Sequence, residues 1–112
     1  MRKRLVTLLS VLMCAGANAE FKDGNQLYSQ MQKEFASVEW FNAIGYVTGV
    51  ADTLSGITVC GPAGTTVPAS QVYDIVKQYL KDNPSLRHLS GDRLVNRALE
   101  RVFPCQKKGQ AL

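Results

Sequence analysis

The chain has 112 residues, with 13 Lys and Arg, 9 Asp and Glu and a single His, for a formal charge of +4. That length allows one domain. A sequence pI near 9.1 raises the question of a polyanionic partner, but three of the thirteen bases, Arg2, Lys3 and Arg4, crowd at the very start of the chain.

Those bases precede the uncharged run LVTLLSVLMCA at 5–15, then Gly16 and the small-residue triplet Ala17, Asn18, Ala19. A basic start, a short apolar run and an A-x-A site form a Sec signal peptide, and the run is shorter than the ~20 residues of a membrane span. The expected division is a signal peptide at 1–19, cleaved after Ala19, and a mature domain at 20–112 with no membrane span. Cys14 leaves with the peptide, and Met13 before it stands where a lipoprotein signal needs a small residue. Removal of three bases and no acid leaves ten against nine, so the mature domain is nearly neutral.

Export places the chain in the periplasm, an oxidising compartment, where the two remaining cysteines, Cys60 and Cys105, can form one disulfide. The alternative is two free buried thiols. A small domain buries too little surface to be indifferent to such a tie, because closing so long a loop is worth roughly 4 kcal/mol in the chain-entropy model.

The remainder reads as helices. Asp23 can cap a first helix reaching about Phe35, with Leu27, Met31 and Phe35 at spacing four. Ser37 caps a second, from Val38 to about Ser55, with Glu39 in its first turn. That helix carries Trp40, Phe41, Ile44, Tyr46, Val47, Val50 and Leu54, apolar on nearly every side, which predicts a central helix covered by its neighbours. Gly45 and Gly49, four apart, form a smooth notch that predicts close approach by another helix. Gly56 stops the helix.

Residues 57–70 hold two Gly, two Pro and no charge, which is loop chemistry. Val72, Ile75, Val76, Tyr79 and Leu80 then follow helical spacing up to Asn83 and Pro84. After a short connection, Ser90 caps a last helix with Leu94, Val95, Ala98, Leu99, Val102 and Phe103 as its core stripe, stopped by Pro104. No period-two pattern appears. The expected fold is all-α, four helices with one disulfide, tying the end of the last helix to the loop after the second.

Chemistry-bearing groups are scarce. One histidine, His88, and two cysteines that a disulfide absorbs leave no nucleophile with its base and no His-based zinc site, so neither catalysis, a cofactor nor a metal is expected. His88 reads as an exposed or capping imidazole. Asp52 is the only charged residue between Glu39 and Asp74 and sits near the C-terminal end of the second helix, where the helix dipole disfavours an anion. It reads as a structural carboxylate satisfied by backbone N–H groups or by a Tyr or Arg; the other reading is direct contact with a partner. Arg93, Arg97 and Arg101 lie four apart on the last helix, either as a solvated face or as an anion-facing docking ridge. Three arginines without interleaved aromatics do not make a nucleic-acid site.

The uncharged segment Gly61, Pro62, Ala63, Gly64, Thr65 and Thr66 has two readings: a passive connector, or a stiff protrusion rooted at Cys60 that enters a partner's cleft at low entropic cost.

The stretches Asp23-Gly24-Asn25-Gln26-Leu27, Gly45-Tyr46-Val47-Thr48-Gly49-Val50-Ala51-Asp52, Val67 to Leu80, and Leu94 to Cys105 ending Phe103-Pro104-Cys105 resemble the Rap/Tai family of immunity proteins. The resemblance spans nearly the whole mature chain. It implies a small periplasmic helical protein, typically a homodimer, that neutralises a peptidoglycan amidase effector delivered by type VI secretion. Many relatives carry a cysteine in the first helix and another just before the G-Y motif; Met31 and Ile44 stand there here, which replaces a bridge by packing. The loop also reads Val67-Pro68-Ala69-Ser70-Gln71 where a Thr often follows the Val, which blurs the N-cap of the next helix.

On this reading the chain blocks an enzyme sterically, as a dimer, with residues 61–66 entering the active-site groove and the Gly45/Gly49 notch serving the core or the dimer seam. A small periplasmic stress chaperone or an orphan helical binding protein is the alternative. A peptidoglycan enzyme is a third.

Overall fold

A computed structural model describes residues 21–106; the signal peptide expected at 1–19 lies outside them. Four helices follow in order: α1 (Gly24–Met31), α2 (Val38–Leu54), α3 (Ala69–Asp82) and α4 (Gly91–Val102), with a single 3-10 turn at Pro84–Leu86. The described residues contain no β-strand beyond three isolated bridges, so the all-α expectation holds.

Local chemistry starts each of the first two helices. Asp23 caps α1 through Oδ1, which accepts from the Gln26 N–H at 2.8 Å, while the Asp23 N–H donates to Gln26 Oε1 at 3.1 Å. This reciprocal pair satisfies two otherwise orphaned donors. Ser37 Oγ accepts from the Trp40 N–H at 3.2 Å and caps α2. Gly56, at φ +79, terminates that helix where a side chain would be strained.

Helix α1 ends at Met31, four residues short of the expected Phe35. The chain must reverse before Ser37 can cap α2, and it does so through Ala36 at φ +65 and a Ser37 N–H to Glu34 carbonyl bond of 3.1 Å. Phe35 is left 81% exposed, its ring edge-on to Trp40 at 4.7 Å rather than in the core.

The core joins Leu27 and Met31 from α1, Ala43 and Val47 from α2, Tyr73, Val76, Tyr79 and Leu80 from α3, and Leu94, Val95, Ala98 and Leu99 from α4. Helix α2 packs against all three others, as its composition predicts, yet only one side is covered. Val38 is 73% and Phe41 57% exposed. The expectation of burial on nearly every side fails because three short helices cannot wrap a 17-residue one.

On α3 the buried positions include Tyr73, whose hydroxyl donates to the Met31 carbonyl at 3.1 Å, while Val72 and Ile75 are half-buried. Val102, expected in the α4 stripe, is 50% exposed. Ser90 occupies the N-cap position of α4 without a side-chain cap bond. Arg87 closes the other end of α3: its Nε donates to the Leu80 carbonyl at 2.7 Å and its guanidinium lies 3.9 Å from the Tyr28 ring centre. A cation at the negative end of a helix is favourable there.

Two tyrosines give the fold a pH signature. Burial raises the Tyr73 hydroxyl above its ordinary value, with the Asp74 charge adding to it. Burial likewise raises Tyr46, reinforced by the Asp92 charge and opposed by a hydrogen bond from the Asp92 backbone. Groups raised on folding contribute stability that is full below the unfolded value, about 10 for tyrosine, and is lost as pH rises through the folded value. Lys22 is lowered by burial and acts in the opposite sense. Thermal melting between about pH 9 and pH 12 is therefore expected to fall, with the Tyr46→Phe variant losing less across that range than the wild type.

Candidate functional site

The segment 57–68 leaves α2 and is fixed at its root by three neighbouring ties. The Val59 backbone pairs with both Ser55 and Pro104, the Cys60 N–H donates to the Phe103 carbonyl at 2.8 Å, and Cys60 is bonded to Cys105. The disulfide expected from the cysteine count is present, with Cα atoms 4.7 Å apart. Thr58 Oγ1 donates to Asn96 Oδ1 at 2.6 Å, a further link from this root to α4.

From that root Gly61, Pro62, Ala63, Gly64, Thr65 and Thr66 project with every residue exposed. The tip is a tight turn. The Thr65 N–H donates to the Pro62 carbonyl at 3.3 Å, Thr65 Oγ1 donates to the same oxygen at 3.2 Å, and Gly64 takes the positive φ of +77 at the third position. Both flanks are concave. A cavity of about 350 Å³ lies on the bundle side, reaching Asp52, Val72 and Leu99, and one of about 550 Å³ lies on the other, reaching Val102 and Gln106. The segment is thus a rib between two hollows, stiffened by proline and a covalent root.

Asp52 is exposed and stands in the wall of the first hollow. Water therefore solvates its carboxylate, and the protein partner that a buried anion would require is not needed. The hydroxyls nearest along α2 serve the backbone instead: Thr48 donates to Ile44 and Gly45 carbonyls, and Thr53 to Gly49.

Gly45 and Gly49 are exposed, and a Cβ built at either meets nothing within 4 Å. The close helix approach expected at this notch does not occur among the described residues. The crowded glycines are Gly24 and Gly91, where the start of the domain crosses the start of α4: the Gly24 N–H donates to the Leu89 carbonyl and the Gly91 N–H to the Lys22 carbonyl. Exposed Val38 and Phe41 on α2, with Phe35 just before it, add apolar surface to the open notch. The excess of apolar residues around α2 was the sequence signal for it.

Arg93, Arg97 and Arg101 are all exposed on α4, but the ends of the row address different grooves. Arg93 borders a hollow shared with Val50 and Leu54 of α2. Arg101 lies 5.5 Å from the Tyr79 ring centre, in a groove of about 510 Å³ against Asp74 and Asp82 of α3. Four-residue steps drift around a helix with 3.6 residues per turn, so a straight ridge in sequence becomes a twisted one. His88 is exposed. Among the described residues no three His, Cys, Asp or Glu side chains gather, and no helix is long and apolar enough to cross a membrane.

No curated protein matches the chain. The family described as Rap1a immunity proteins matches residues 23–105, from the Asp23 cap to the disulfide cysteine at the end of α4. That span covers the four helices, the rib and both of its roots, and the chain belongs to the Rap1a immunity protein family, whose members bind a partner effector.

Proposed function

We propose that the chain is a periplasmic immunity protein that binds a peptidoglycan amidase effector delivered by type VI secretion and blocks its active-site groove sterically, without catalysis of its own. The observation that carries this reading is the rib at 61–66: uncharged, exposed throughout, turned tightly at Gly64 and covalently rooted at Cys60. A segment already ordered in the free protein enters a groove with little further entropic cost. The charge-free tip suits a cleft whose own polar groups serve its substrate. Export by the signal peptide at 1–19 delivers the protein to the compartment that holds peptidoglycan.

The functional unit is a homodimer, with the uncovered face of α2 as its seam. Gly45 and Gly49 permit close approach by a second helix, and Phe41 and Val38 supply apolar area beside them. The twisted arginine row is a solvated face in this scheme.

The test is inhibition of small peptidoglycan amidases of the type VI effector class. Replacing Pro62 and Thr65 together by Asp is expected to raise the inhibitory concentration at least tenfold while the melting temperature stays within about 2 °C of wild type, because surface substitutions usually change stability by under 0.5 kcal/mol. Undiminished inhibition by the double variant overturns the assignment of the rib. The exposed Phe35, Val38 and Phe41 patch favours one other reading, a small chaperone. Protection of unrelated proteins from aggregation at low pH, with no amidase complex, would support it.

A further inference from the structure

Among the described residues, the hollow between the rib and the helix bundle is lined by a single charged side chain. Its walls include Val67, Val72, Leu99 and Phe103, with Thr65 and Thr66 of the rib and Asp52 of α2. Asp52 is the only charged residue from 40 to 73, so nothing on α2, on the rib or at the start of α3 offsets its field. It stands near the C-terminal end of α2, where the helix dipole disfavours an anion, and it is exposed, so it adds nothing to the stability of the helix that carries it. A volume of about 350 Å³ lies within the range of pockets that take small groups.

From this arrangement we propose that the hollow is a socket for one arginine or lysine side chain of the partner effector, with the aliphatic stem against the half-buried Val67, Val72 and Phe103 and the cationic head on the Asp52 carboxylate. Long basic side chains bury their stems along apolar walls while the head stays hydrated or paired. A carboxylate in the wall of a largely uncharged hollow, with no cation among the described residues that line it, selects that class over an acidic or a purely aliphatic side chain. The inference rests on the rib as the partner-facing element. It makes the contact two-sided: the rib enters the partner while the partner enters the hollow behind the rib.

The socket can be tested without the effector. Nα-acetyl-arginine methylamide, titrated at millimolar concentration into the oxidised mature chain, is expected to shift the amide resonances of Asp52, Thr66 and Val67. The uncharged citrulline analogue and the Asp52→Asn variant are expected to abolish those shifts. Shifts of equal size with the citrulline analogue, or shifts that survive in Asp52→Asn, overturn the proposal. So does a change in the same resonances when the chain is ended at Gln106 with no probe added, since that assigns the hollow to the chain's own Lys107 and Lys108. In the complex, Asp52→Asn is expected to weaken amidase inhibition about tenfold with the fold unchanged. Arginine binding without any amidase inhibition by the wild type would retain the socket and defeat the amidase reading.

Discussion

Breaking the Cys60–Cys105 bond is expected to lower the stability of the domain by about 4 kcal/mol in the chain-entropy model, given that it closes a span of 45 residues. Set against the ~5–15 kcal/mol that small domains possess, this is a large share, and it corresponds to a fall in melting temperature of roughly 15–30 °C. The measurement is thermal or urea unfolding of the oxidised chain against the Cys60→Ser, Cys105→Ser double variant. The position of the bond matters as much as its loop length. It joins the root of the rib to the end of α4 beside the Cys60 to Phe103 backbone bond and the Val59 to Pro104 pairing. Its loss therefore frays the rib first, and the double variant is expected to lose inhibition at temperatures where its helical signal is still intact. A variant that melts within a few degrees of wild type would show that backbone pairing and packing of Val59 hold the root unaided.

Alanine at Gly24 is expected to destabilise the fold by about 1–3 kcal/mol, the usual cost of overpacking, whereas alanine at Gly45 or Gly49 stabilises the isolated domain by about 0.5–1 kcal/mol each. A Cβ at Gly24 would meet the Leu94 side chain and stand 2.7 Å from the Arg87 carbonyl oxygen and 2.9 Å from its Cα. Backbone atoms cannot step aside as a flexible side-chain tip can, and Leu94 is fully buried. Gly91 is crowded in the same way, its Cβ falling 2.9 Å from both the Lys22 carbonyl oxygen and the Tyr46 hydroxyl. At Gly45 and Gly49 open space leaves only the helix-propensity gain. If α2 forms the dimer seam, the same alanines weaken self-association while raising the melting temperature of the monomer. Sedimentation across a concentration series separates the two effects, and an unchanged dimer constant would remove the seam from α2.

The contrast between these glycines marks what the sequence could carry. Asp23, Ser37 and Gly56 act through neighbours within a few residues, so their roles at helix ends were legible directly. The pairing of Cys60 with Cys105 was legible from counting, once Cys14 was assigned to the signal peptide. Crowding at Gly24 and Gly91 arises where two segments far apart in sequence cross, and helical periodicity holds no record of that crossing. The same limit explains α1. Spacing four placed Phe35 on the Leu27 stripe, but the reversal into α2 needed those residues, and Phe35 moved out against Trp40. Tyr73 took the buried place beside Met31 because its hydroxyl finds the Met31 carbonyl there.

For the site, the rib was legible as an uncharged glycine- and proline-containing segment with a cysteine root. The hollow behind it was not, because its walls come from α2, α3, α4 and the rib together. Asp52 drew notice for its isolation in sequence, yet its exposure depended on how much of α2 the other helices leave uncovered. The apparent ridge of Arg93, Arg97 and Arg101 was separated by helical drift into the borders of two grooves.

The most direct test of the account is a titration of oxidised residues 20–112 into small peptidoglycan amidases of the type VI effector class, with release of fragments from purified sacculi as the readout. Turnover is expected to fall linearly and vanish near one chain per amidase, and the Pro62→Asp, Thr65→Asp variant is expected to need at least ten times as much protein. Full turnover in the presence of excess wild-type chain, or release of fragments by the chain alone, would contradict it.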